Sequence, residues 1–132
     1  MLCMLDTNIC IYLIKRKPVT VVERLRSYEA GDVAVSSISV AELQYGVCKS
    51  NRPDQNQMAL AEFLLPLEVV AFSEGAADHY GDIRNHLEKG GNIIGSMDLL
   101  IAAHARSLSL TLITNNLREF QRVPGLRVEN WT

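Results

Sequence analysis

Met1-Leu2-Cys3-Met4-Leu5, followed at once by Asp6-Thr7-Asn8, is the stretch on which the fold of this chain turns. Five apolar residues are too few for a buried helix and suit a buried strand, whereas Asp, Thr and Asn are residue types that cap helix N-termini. The segment therefore predicts a strand running directly into a helix. Ile9 to Arg16 continues that helix, Pro18 breaks it, and Val19 to Ala30 predicts a second one closed by Gly31-Asp32.

The same alternation repeats outward along the chain. Val33-Ala34-Val35 predicts a second strand, and Ser36 to Ser39 leads into a helix over Val40 to Lys49 with an apolar stripe of Val40, Leu43 and Val47. Beyond a polar loop at Asn51 to Asp54, Gln55 to Leu65 predicts a helix ending before Pro66, and Leu67 to Phe72 a third strand. Ser73 opens a long helix to Lys89 that Gly90-Gly91-Asn92 closes. After a connector at Ile93 to Ser96, Asp98 to Ser107 predicts an almost wholly apolar helix, Leu110 to Ile113 a fourth strand, Thr114 to Arg118 a turn into a helical stub, and Leu126 to Val128 an edge strand. Short apolar strands alternating with helices imply an α/β fold, a mainly parallel sheet of four to five strands covered on both faces. With no repeat, low-complexity tract or long linker, residues 1–132 are expected to form one domain. In such sheets ligands bind beyond the carboxyl ends of the strands.

Composition narrows the function. The 132 residues carry 13 Lys and Arg against 15 Asp and Glu, a formal charge of −2, which argues against a broad basic surface for DNA or RNA. Cys3, Cys10 and Cys48 are an odd number without a C-x-x-C pair, Cys3 and Cys10 fall inside apolar segments, and buried thiols in a reducing cytosol are expected. Met1 to Leu5 is too short for the charged and apolar regions of a signal peptide, so a cytoplasmic protein without a membrane anchor is expected. His79 and His86 are about 10 Å apart along a helix, too far to share a metal, and His104 is expected to be a hydrogen-bonded core residue. No G-x-S-x-G elbow or P-loop occurs.

Four acids share one context: Asp6 after the first strand, Glu42 after the second, Asp98 opening the apolar helix and Glu119 after the fourth strand. Each alone fits a helix start, because Ser39-x-x-Glu42 and Asn116-x-x-Glu119 have the form of a capping box, Asp6 that of an N-cap and Asp98 that of a first-turn acid. Together they converge, since the carboxyl ends of parallel strands gather on one rim. No Lys or Arg lies within four residues of Asp6 or Asp98. A carboxylate among Leu99, Leu100, Ile101, Ala102 and Ala103 needs a compensating cation. A bound divalent ion supplies it, and an all-oxygen donor set favours Mg²⁺, with Mn²⁺ as substitute, over zinc. Such an ion suits phosphodiester hydrolysis, where it orients water and neutralises charge on the phosphoryl group.

The chain resembles the PIN-domain ribonucleases, and among them the VapC-type toxins of toxin–antitoxin pairs. The resemblance rests on Met4-Leu5-Asp6-Thr7-Asn8, on Ser36 to Leu43, on Ile94 to Ala105 and on Thr114 to Phe120, four segments in order that cover nearly the whole chain. It implies a three-layer α/β/α sandwich and a Mg²⁺-dependent endoribonuclease with Asp6, Glu42, Asp98 and Glu119 as acidic site residues. Asp6 and Asp98 would be the metal ligands. Family members often place a further Asp near Asn116, so either Glu119 supplies the fourth acid or Asn116 acts through water. Thr7, Asn8, Thr114 and Asn116 match polar positions that orient ligands. The resemblance further implies structured cellular RNA as substrate (tRNA by preference), products with 5′-phosphate and 3′-hydroxyl ends, a homodimer, and a cognate VapB-type antitoxin through which alone DNA is contacted.

Arg118, one residue from Glu119, is the favoured phosphate contact, and Lys15-Arg16-Lys17 is the densest basic run. Two other functions compete. Haloacid-type phosphatases need Asp-x-Asp where this chain has Asp6-Thr7-Asn8, and a phospho-receiver needs an acidic pair for which Met1 to Leu5 has no room. A non-catalytic binding module would use the acids only as caps.

Overall fold

A computed structural model describes all 132 residues. Strands β1 (Cys3–Leu5), β2 (Val33–Ser36), β3 (Glu68–Val70), β4 (Thr111–Ile113) and β5 (Val128–Glu129) alternate with helices α1 (Thr7–Lys15), α2 (Val19–Arg26), α3 (Ser37–Lys49), α4 (Pro53–Leu64), α5 (Glu74–Lys89), α6 (Ser96–Ser107) and α7 (Leu117–Phe120). The strands form one five-stranded sheet in the order β3-β2-β1-β4-β5, and every pairing is parallel.

Alternation along the strands makes the two faces. Cys3, Leu5, Val33, Val35 and Ile113 point to a core shared with Ile9, Cys10 and Leu13 of α1, Val21 of α2, Leu43 and Val47 of α3, and Leu60 of α4. Met4, Ala34 and Leu112 point the other way, onto Ile83 and Leu87 of α5, Leu99 to Ala105 of α6 and Phe120 of α7. Both sides of each central strand are apolar because both are covered, which is why the strands read as unbroken apolar runs. The result is the three-layer arrangement expected from the sequence.

The strand order locates the site. From β1 the chain winds outward through β2 to β3 with α1–α4 on one face, then returns over the other face through α5 and α6 to β4, on the opposite side of β1. The direction of winding therefore reverses between β1 and β4, and the crevice beyond their carboxyl ends is where open α/β sheets bind ligands. Asp6 and Thr114 are the first residues past those two ends.

Several boundaries differ from the sequence expectation. Helix α2 stops at Arg26 rather than Ala30, because Ser27 closes it with a hydroxyl bond to the Arg24 carbonyl at 2.6 Å. Helix α3 starts at Ser37, capped by Ser36, whose Oγ accepts from the Ile38 N–H at 3.0 Å. Ser39 is thus inside the helix and no Ser39–Glu42 capping box forms. Ser73 and Asn116 occupy N-cap positions but make no side-chain capping bond. The edge strands are shorter than expected, Cys3 and Cys10 are buried free thiols but Cys48, near the end of α3, is exposed rather than buried, and no helix is long and apolar enough to cross a membrane.

Phe120 is fully buried and anchors α7, the four-residue helix that carries Glu119. Phe120→Ala is expected to lower stability by about 3–5 kcal/mol, measured by equilibrium urea unfolding.

Candidate active site

Asp6 is 3% exposed at the end of β1. Burial raises its pKa, Thr114 and Thr7 oppose the rise by hydrogen bonding, and the Glu42 charge adds to it. Its Oδ1 accepts from the Thr7 backbone N–H at 2.7 Å, the cap expected from sequence. Its Oδ2 accepts from the Thr114 hydroxyl at 2.8 Å. Thr114 is itself buried and its Oγ1 accepts from the Asn116 N–H at 2.9 Å. One carboxylate therefore ties the end of β1 to the end of β4, and each of its oxygens keeps a lone pair free.

Glu42 reaches the same rim from α3. Its Oε1 accepts from the Thr7 hydroxyl at 2.6 Å, and Thr7 Oγ1 lies 3.0 Å from Ser39 Oγ. Thr7 has one proton to give, so the chain of donation runs from Ser39 to Thr7 to Glu42. One turn further along α3 than Ser36, Ser39 was masked in the sequence by its resemblance to a cap. Only the true helix start reveals that it points inward.

Asp98 lies in the first turn of α6, partly buried. Burial first, then the charges of Asp6 and Glu119, a hydrogen bond with the Glu119 carboxyl and the charge of Glu42, push its pKa up to about 6. All three other acids thus contribute to the electrostatic field at Asp98. Gly95, the α6 N-cap, leaves room for the Asp98 side chain: a Cβ there would stand 3.4 Å from Asp98 Oδ2. The protein has three ion pairs, Arg24–Glu129, Arg84–Glu88 and Arg106–Asp82, and none involves the four acids. Asn8 is exposed, the Asn116 side chain makes no capping bond, and Arg118 is exposed on α7 beside Glu119 without an acidic partner.

The donor chemistry fits a hard divalent cation: oxygen-only groups, Asp6 and Asp98 carboxyls raised by burial and by neighbouring carboxylates, and no Lys or Arg ion-paired to any of the four acids. No three or more His, Cys, Asp or Glu side chains stand together in metal-ligating geometry. Two carboxylates with coordination completed by water or phosphate oxygens is the mode Mg²⁺ favours.

Residues 3–126 match the family model described as PIN domain. The chain belongs to the PIN-domain family. Among its relatives, Ribonuclease VapC2 of Rickettsia felis is 48% identical over 132 residues, 99% of this chain and 98% of that protein. The tRNA(fMet)-specific endonuclease VapC of Shigella flexneri is 45% identical over 129 residues, covering 98% of this chain and 97% of the relative. The crystal structure of DNA-bound VapBC from Salmonella typhimurium superposes on this PIN domain with a TM-score of 0.95 at 44% identity, over 100% of both chains.

The hydrogen bonds made by Ser36 and Tyr12 escaped the sequence reading, whereas His104 is the hydrogen-bonded core residue expected from it. The Ser36 hydroxyl, which accepts from Ile38, lies 2.8 Å from Nδ1 of buried His104 and has its own proton free to donate there. Burial lowers the pKa of the ring, which favours its neutral form. His104 is thus a core residue holding β2 to α6. Tyr12 takes a 2.7 Å hydrogen bond from the Asn115 amide across the rim. Both links span more than sixty residues, and periodicity carries no signal of them.

A carboxyl whose pKa is raised by folding stabilises the fold fully while protonated and loses that contribution as pH climbs through its folded value. Metal-free protein is therefore expected to lose stability between about pH 4 and 7. Asp98→Asn removes the titration and is expected to melt a few degrees higher than the parent at pH 7.5, a gain of about 1–2 kcal/mol after allowing for solvent screening. The two melting temperatures should converge near pH 4, as calorimetry in chelator reads directly.

Proposed function

We propose that this PIN domain is a Mg²⁺-dependent endoribonuclease, the toxin of a toxin–antitoxin pair. The observation that carries the proposal is the convergence of Asp6, Glu42, Asp98 and Glu119, without a cationic partner, at the point where the sheet reverses its winding. Relatives named as ribonucleases, two of them as tRNA(fMet)-specific endonucleases, support RNA as the substrate and tRNA as its class.

Asp6 and Asp98 would hold the ion. When bound it supplies positive charge that offsets the growing negative charge on the phosphoryl oxygens and makes a nearby water a better nucleophile. The protein's own groups do the rest. Asp6 is held at both oxygens and cannot swing, so the ion's place is fixed by the backbone of β1 and β4. Glu42, oriented by Thr7, accepts a proton from the attacking water. The water oxygen bonds to phosphorus, the bond from phosphorus to the 3′ oxygen breaks, and that oxygen leaves with a proton, giving 5′-phosphate and 3′-hydroxyl ends. Glu119, beside Asp98, completes the acidic wall, and Asn116 stands where it could act through water. Arg118 offers a phosphate contact at the rim.

The protein works as one unit over residues 1–132, as a cytoplasmic homodimer. A VapB-type antitoxin silences it and alone mediates contact with DNA; solved VapBC complexes of R. felis and S. typhimurium, both DNA-bound, support that part.

Antitoxin-free protein is expected to cleave a tRNA(fMet) transcript in Mg²⁺ or Mn²⁺ and not in chelator. Asp6→Asn and Asp98→Asn should abolish cleavage while leaving the fold intact by circular dichroism. Thr114→Val, which removes a bond to Asp6 but no carboxylate, should weaken apparent Mg²⁺ affinity about 10–100-fold. Cleavage that survives Asp98→Asn or excess chelator would overturn the metal-site assignment.

A further inference from the structure

Four converging carboxylates repel the polyanion they are proposed to cut, so positive charge elsewhere on the surface has to draw the RNA in. Arg24, Arg84 and Arg106 are engaged by Glu129, Glu88 and Asp82. Lys15, Arg16 and Lys17 are exposed and pair with no carboxylate. The chain turns at Arg16 through a left-handed φ of 58°. Lys15 and Lys17 thereby line one shallow depression of about 640 Å³ with Ile11, Tyr12, Pro18 and Val19. No acid lines it. The helix dipole accounts for a cation at Lys15, at the end of α1, but not for Lys17 beyond it.

Tyr12 joins this depression to the rim. Its hydroxyl accepts from Asn115, in the loop between β4 and α7 that begins with Thr114, the residue gripping Asp6. From Thr7 to Lys15 helix α1 rises about 12 Å, a distance that three to four stacked nucleotides cover. We propose that the depression bounded by Tyr12, Lys15, Lys17 and Pro18 is the track on which the RNA backbone leaves the acidic rim. Lys15 and Lys17 each meet a phosphate, and the Tyr12 ring and Pro18 support the sugar–base side. The inference rests on the ribonuclease reading and adds to it the surface that binds substrate away from the cut.

The test is fluorescence anisotropy of a labelled tRNA(fMet) transcript with antitoxin-free protein in chelator, where nothing is cleaved. Lys15→Gln/Lys17→Gln is expected to bind about 25-fold more weakly than the parent near 0.1 M salt. The slope of log K against log salt should flatten by about 1.4, the contribution of two single-strand phosphate contacts. Lys15→Arg/Lys17→Arg should restore both, and Lys89→Gln, which removes a lysine that does not line the depression, should stay within twofold of the parent. Equal affinity and slope in the double Gln variant overturn the track, as does an equal loss in Lys89→Gln. A double Gln variant that loses antitoxin binding but keeps RNA binding assigns the face to the protein partner and also overturns it. If the parent itself fails to cut the transcript in Mg²⁺, the ribonuclease reading falls. If the parent cuts while the double Gln variant binds equally well, only the track falls.

Discussion

Everything at the rim depends on how one buried carboxylate is held. Asp6 follows β1 directly, and its two oxygens are fixed by groups of different origin: a backbone N–H one residue on and the hydroxyl of Thr114, 108 residues away. The second bond crosses the seam between β1 and β4, the two strands whose neighbours wind in opposite directions. Loosening it frees both the carboxylate and the loop that leads to α7 and Glu119. Thr7 has a doubled role, its N–H serving Asp6 and its hydroxyl Glu42, so two acids are positioned by a single residue.

This arrangement works against the stability of the empty fold. Four acids gather on one rim; Asp6 stays above its usual pKa range because burial outweighs the hydroxyl and amide donors that oppose it, and Asp98 because burial and the neighbouring carboxylates meet no such donor. A structural role would be served better by an Asp–Arg pair or by apolar residues of similar size. The strain has a physical use only if a cation completes the site, which is the strongest argument against reading these acids as caps. The capping role is real for Asp6 but satisfies one oxygen, leaving the other and Asp98, Glu42 and Glu119 unexplained.

How legible all this was in the sequence depends on the range of each interaction. The five strands, the covering of both sheet faces and the rim on which the acids meet follow from local patterns: apolar runs of three to five residues, turn residues between them and an acid after a strand. Helix starts were less legible, since Ser36 and Ser39 are equally good caps by type and only the packing of α3 selects Ser36. The seam between β1 and β4 was not legible at all, because strand order is set by which crossovers pack on which face. Thr114 looked like a turn residue, and its bond to Asp6 becomes visible only once β4 is seated beside β1. Tyr12 and Asn115, or Ser36 and His104, meet by the same route.

The formal charge of −2 takes on a different meaning once the acids are placed. Without Asp6, Glu42, Asp98 and Glu119 the chain holds eleven acids against 13 basic residues, a mildly basic body around an acidic pocket. A polyanion approaching such a surface is repelled where the chemistry is proposed to happen and attracted beside it. Coulomb interactions between exposed charges fade over about 10 Å at ordinary salt, so attraction and repulsion are both local, and the lysines at the end of α1 act on the part of the strand that reaches them rather than on the pocket. A cation in the pocket would convert the repulsive patch into a phosphate site and leave the lysines beyond it to set the strand's direction. Net charge is therefore a poor guide to nucleic-acid binding in a small domain of this kind; the separation between its acidic and basic groups is the quantity that decides it.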